Sequence, residues 1–147
     1  MKFKLIIDPG VEEEVVATVR ERSALTDKIE SLVREYSGEN QLTAYRDDEL
    51  LRLSFDEIEC ITVVAGKTYA IDTKGSQYRL KQRLYELEEI LPTTFIRINK
   101  SALANEKRLE RFFATYSGGI NARFKSGYEE YVSRRCFAVI KRRYDVK

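Results

Sequence analysis

Apolar and polar positions along the chain change their period several times, and each change marks an element. Lys2–Ile7 alternates weakly and then meets Asp8-Pro9-Gly10, a turn signal, which predicts a first strand. Glu14–Arg20 is rich in β-branched residues and predicts a second strand, with a helix as the rival. Ile29, Leu32, Val33 and Tyr36 repeat at i, i+3, i+4 and i+7, the spacing of one helix face. Thr26-Asp27 before them supplies an N-cap and Ser37-Gly38 a stop. Leu42–Tyr45 and Leu51–Phe55, joined by Arg46-Asp47-Asp48-Glu49, read as a hairpin with a polar turn. Residues 1–46 are therefore expected to form a small β-β-α module, too small to bury much surface alone.

Beyond this point short strands follow at close spacing: Ile58–Ala65, Lys67–Asp72 and Gln77–Leu80, separated by Gly66 and by Thr73-Lys74-Gly75-Ser76. Leu80, Leu84, Leu87 and Leu91 carry a helical stripe that Pro92 ends. Phe95–Ile98, Leu109–Tyr116, Ile120–Lys125 and Glu130–Val132 are further strands, with hairpin turns at Ser117-Gly118-Gly119 and Ser126-Gly127. Ser133 caps a last helix whose buried stripe is Phe137, Ile140 and Tyr144. No flexible linker separates this second unit, residues 47–147, from the first.

Composition narrows the function classes. The longest apolar runs, such as Cys60–Ala65, fall far short of the roughly 20 residues of a membrane span, and Asp8-Pro9 cuts off the apolar run near the start, so no signal peptide is expected. Two cysteines, Cys60 and Cys136, make no disulfide framework, and a reduced, cytoplasmic protein is expected. The chain has no His, which removes histidine triads, His metal ligands and His acid–base work. Cys60 sits on an apolar strand without that base and reads as a buried small hydrophobe. The paired carboxylates Asp47-Asp48-Glu49, Glu88-Glu89 and Glu129-Glu130 lie at turns or on a helix surface, as solvated faces do. No catalytic residue, cofactor or metal site is expected, and the chain does not read as an enzyme.

Charge divides the chain. Residues 1–50 hold 7 Lys/Arg and 12 Asp/Glu, net −5, whereas residues 51–147 carry net +7 and residues 97–147 alone net +8. An acidic module joined to a basic surface points to a polyanionic partner. Three polar, basic loops stand at strand ends: Gly66-Lys67-Thr68, Asn99-Lys100-Ser101 after Phe95–Ile98, and Ser133-Arg134-Arg135 at a strand-to-helix junction. Arg, Lys, Asn and Ser are the side chains that reach guanine edges, adenine edges and phosphates, and the first turn of the last helix adds backbone N–H groups suited to phosphate.

Two stretches resemble a known family. Phe95–Asn105, FIRINKSALAN, is similar to a family signature of an aromatic, Ile, Arg, two polar positions, Ser, apolar residues and Asn. Tyr131–Arg143, YVSRRCFAVIKRR, is similar to its other hallmark, a strand ending in Val-Ser-Arg before the terminal helix, and LYELEEILP matches the helix that precedes the signature. Together they resemble the LytTR DNA-binding domain of bacterial transcription regulators, over about 97 residues from near Leu51.

The resemblance implies a mostly β fold of packed antiparallel sheets with short helices, α+β overall once the N-terminal module is counted. It implies double-stranded DNA as partner, read by loops in successive major grooves and not by a recognition helix. Carried over, the first base-reading loop falls on Lys67 and Thr68, the second on Asn99 and Lys100, and the third on Arg135 beside Arg134, with Ser101 and Ser133 near phosphate. The chain departs from the pattern at Thr68 and Asn99, where longer or imidazole side chains also occur, and at Ala104, which replaces a more usual Val. The first departure bears on the target sequence. A receiver domain needs on the order of 120 residues in β/α alternation, so Asp8 and Asp27 are expected to be turn and cap residues rather than phosphoacceptors. By resemblance alone, this layout further implies a homodimer on direct repeats and a small membrane protein that restrains the regulator. A basic-faced protein-interaction or RNA-binding module is the alternative reading.

Overall fold

The computed structural model describes residues 1–38 and 40–145. Helix α1 (Ala24–Ser37) is followed by β1 (Gln41–Arg46), β2 (Glu49–Ser54), β3 (Ile58–Val64), β4 (Lys67–Asp72), β5 (Gln77–Leu80), α2 (Leu84–Ile90), β6 (Phe95–Asn99), β7 (Ala102–Asn105), β8 (Leu109–Ala114), β9 (Ile120–Phe124), β10 (Glu129–Val132) and α3 (Arg134–Asp145). All strand pairs are antiparallel, in a seven-stranded sheet of order β2-β1-β5-β4-β3-β7-β6 and a three-stranded sheet of order β10-β9-β8. Among the described residues no helix is long and apolar enough to cross a membrane.

The large sheet is covered on both faces, and strand alternation shows how. Ile61 and Leu103 point into one core with Leu84, Leu87 and Leu91 from α2 and its C-terminal end. Cys60, Ala102 and Ala104 point the other way, against Ala122 and Phe124 of β9, Val132 of β10 and Ile140 of α3. A strand buried on both faces reads as a continuous apolar run, which is why β3 shows no clean period. Ala104 sits directly opposite Cys60 in the ladder, so the smaller residue stands where the sheets approach.

One carboxylate holds the sheets together. Glu59 on β3 is buried, and it accepts the main-chain N–H of Ser126 at 3.2 Å and the Ser126 hydroxyl, both from the turn between β9 and β10. Removing one partner of such a bond leaves a desolvated charge.

The two strands expected in the N-terminal module do not form. Residues 1–20 are exposed throughout and have no regular structure, with one backbone hydrogen bond, Val11 N–H to Asp8 O at 3.4 Å. A strand needs a neighbour for its N–H and C=O groups, and alternation alone supplies none. The segment is an arm without regular structure, and the module reduces to that arm, α1 and β1. Strand β1 pairs with β2 and β5 and so belongs to the large sheet.

Helix α1 starts earlier than the cap expected at Thr26-Asp27. Ser23 is the N-cap: its hydroxyl accepts from Thr26 N–H at 3.4 Å, while the Thr26 hydroxyl accepts from Ser23 N–H at 2.9 Å. The expected stop holds, with Gly38 at φ 72° donating back to Arg34 and Glu35 carbonyls. No residue of α1 is fully buried; polar contacts hold it. Arg34 donates to the carbonyls of Ile90 and Leu91 at 2.6 and 3.1 Å, satisfying groups that α2 leaves orphaned at its C-terminus. Glu30 accepts from the Thr93 N–H and hydroxyl at 2.8 and 2.7 Å, and Arg22 donates to Thr93 O at 2.8 Å.

Candidate nucleic-acid interface

The three basic loops meet at one end of the molecule. Between β3 and β4, Ala65 and Gly66 both take positive φ, 51° and 76°, the conformation of a two-residue hairpin turn that matches strand twist. Lys67 follows the turn and is exposed, whereas Thr68, one residue on, points inward and is 6% exposed.

Between β6 and β7 the turn is Lys100-Ser101, and the Asn99 side chain shapes it. Its Oδ1 accepts from Ser101 N–H at 2.7 Å, a local turn bond, and its Nδ2 donates to the carbonyl of Tyr131 at 2.6 Å. Asn99 is buried, Ser101 half-buried and Lys100 exposed. Arg97 donates to Lys100 O at 2.9 Å while also pairing with Glu88 on α2, which fixes the outer side of the same loop.

At the junction of β10 and α3, Ser133 is the cap expected from sequence: its hydroxyl accepts from Cys136 N–H at 3.1 Å. Arg134 and Arg135 open the helix and both are exposed. Two main-chain bonds join the loops into one edge: Ser133 N–H to Ile98 O at 2.9 Å and Val63 N–H to Ser101 O at 2.8 Å. The edge encloses a groove of about 1030 Å³ whose lining includes Arg97, Lys100, Ser101, Ser133 and Arg135.

Thus Lys67, Lys100, Arg134 and Arg135 offer exposed cationic side chains, and Ser101 and Ser133 lie partly open between them. Thr68 and Asn99, which the resemblance made base-reading, are turned into the protein in this conformation. Sequence reasoning passed over Arg97 as a loop support, although its place among buried neighbours in Phe-Ile-Arg-Ile-Asn marked it as facing the other side. It also passed over Tyr131, half-exposed on the groove wall.

Behind the groove lies a layer without a nucleophile. Burial pushes the Cys60 thiol well up, with Glu130 and Glu59 adding to the shift, so it carries no thiolate. Burial likewise raises Tyr128, helped by Glu130, whose carboxylate accepts its hydroxyl at 3.0 Å. Among the described residues no group of three His, Cys, Asp or Glu could hold a metal ion.

Two antiparallel sheets thus gather three basic loops at one edge, a surface suited to a polyanion. The LytTr DNA-binding domain family matches residues 48–145, two thirds of the chain, and the protein belongs to that family. In fold it is similar to the LytTr DNA-binding domain of a methyl-accepting/DNA response regulator from Bacillus cereus, with a TM-score of 0.65 and 19% identity, covering 71% of this chain and 96% of that one. Along its whole length it is similar to uncharacterised HTH-type transcriptional regulators of Staphylococcus aureus strains NCTC 8325 and COL, each 30% identical over 149 residues and 99% of both chains. Among the described residues five strands separate α1 from α2 and five more separate α2 from α3, so no two helices form a helix-turn-helix pair.

Proposed function

We propose that the protein is a sequence-specific double-stranded DNA-binding transcription regulator that reads successive major grooves with loops. The observation that carries this reading is the convergence of Lys67, Lys100, Arg134 and Arg135 on one edge of a domain belonging to the LytTr DNA-binding family. Arg135 and Lys100 are assigned to base edges, Lys67 and Arg134 to the flanks of the same grooves, and Ser101 and Ser133 to phosphate. Asn99 holds its loop in shape, and Thr68 packs inward. Residues 1–46, net acidic, regulate or self-associate and leave DNA to residues 47–147, because their charge repels phosphate. The protein works in the cytoplasm as a dimer on tandem sites.

Selection of a bound duplex from random DNA, followed by competition against random duplex and single-stranded RNA, tests this. Preference for the selected duplex by at least ~10³, the low end for specific binders, is the expected result. Equal affinity for random duplex, or a preference for RNA, overturns it.

A further inference from the structure

Of the 21 large apolar side chains left exposed among the described residues, thirteen lie between Met1 and Tyr36. A chain whose core is otherwise closed does not leave such a surface without a partner. Nine of the thirteen lie on residues 1–20, and three of these, Val15, Val16 and Val19, fall in one β-branched run. The backbone of the arm is open as well, since residues 1–20 hold a single internal main-chain bond. We propose that the arm is the dimer interface: residues 12–20 pair antiparallel with the same residues of a second copy, about a twofold axis through Val16.

The sequence of the segment, Glu-Glu-Glu-Val-Val-Ala-Thr-Val-Arg, sets both direction and register. Parallel pairing lays glutamate on glutamate, which is destabilising across a ladder. Antiparallel pairing centred on Val16 sets Glu12 against Arg20 of the second copy at each end, Glu14 against Thr18, and Val16 against Val16. A twofold contact of this kind is self-complementary by construction. Strand alternation then puts Val15, Ala17 and Val19 on one face. Those three residues already line a groove of about 930 Å³ with Ile29 and Val33 of α1 and Phe55. One face of the paired strands therefore rests on the protein body, and the other carries the Glu12–Arg20 pairs.

This inference rests on the dimer proposed above and names the surface that joins the copies in the absence of DNA. Its test reads mass without DNA, so its failure leaves the DNA-reading edge untouched. Sedimentation equilibrium of the full chain is expected to give a dimer. Val16→Asp should give a monomer that loses at most the strand signal of the arm and keeps the melting transition of the domain. Glu12→Arg or Arg20→Glu alone should weaken association by roughly tenfold or more, as two attractive pairs become repulsive, and the double variant Glu12→Arg/Arg20→Glu should restore it. A monomeric wild type overturns the proposal, as does a dimer indifferent to Val16→Asp. Single-charge losses that the double variant does not repair overturn the register.

Discussion

Asn99 at the end of β6 and Tyr131 on β10 are 32 residues apart in sequence, yet the Asn99 Nδ2 donates to the Tyr131 carbonyl at 2.6 Å. The same side chain accepts from Ser101 N–H at 2.7 Å, so one amide ties the Lys100 loop to the strand that leads into α3. Asn99→Ala should cost about 1–3 kcal/mol of stability, the cost of leaving buried polar groups unpaired. It should weaken selected and random duplex together, because the loop loses its shape. Unchanged thermal stability with a loss confined to the selected duplex would return Asn99 to a base-reading role.

Arg135 is expected to behave differently. A bidentate guanidinium contact with guanine carries ~1–3 kcal/mol of discrimination, so Arg135→Ala should weaken the selected duplex by roughly 10- to 150-fold and random duplex far less. Lys141→Ala, one turn and a half further along α3, should lower both equally and flatten the salt dependence by about one unit of slope. Both side chains are exposed, so melting should barely move. Titrations at several salt concentrations separate the two behaviours.

The two thiols differ in access. Cys60 is fully buried with its thiol pushed up by burial, and Cys136 is partly exposed. A thiol reagent should modify Cys136 alone in the folded protein and both cysteines after denaturation. Replacing Cys60 by Ala should cost ~1–2 kcal/mol and leave DNA affinity in place. Rapid modification of Cys60 in the native state would mean that the two sheets open.

Tyr144 gives a pH signature. Burial and the bond from its hydroxyl to Glu106 at 2.7 Å raise its pKa from 10.0 to about 12, against the lowering effect of Arg143 and Arg22. A raised pKa means that the folded state binds the proton more tightly. The stability this contributes is whole below pH 10 and is lost as the pH rises through about 12. Glu106→Gln should bring the tyrosinate absorbance transition of Tyr144 part of the way back toward 10, because burial, the larger cause, remains.

Most strands of the domain are legible because their turns carry Gly, Asp or Ser at the required places, as at Ala65-Gly66 and Ser126-Gly127. β7 is not, because Ala-Leu-Ala-Asn is short and alanine-rich; its place comes from β3 and β6 on either side. The arm errs in the other direction, since its valines and isoleucines have strand propensity but no neighbour in the chain. Within the basic edge, which loops come together was legible from charge and motif. Which side chain of each pair faces out was not. Lys67 and Thr68 split by strand alternation, and Asn99 turns inward because two main-chain groups, one distant, claim its amide.

The bonds from Val63 to Ser101 and from Ser133 to Ile98 assemble the edge from segments spread across half the chain. No short peptide contains it, and a single cut between residues 68 and 133 separates at least one loop from the others. The surface proposed to meet DNA is thus a product of long-range pairing, which is slow to form in β-rich domains. Competence to bind and completion of the fold arrive in the same step, and a nascent or partly degraded chain has no weakened version of the interface to offer.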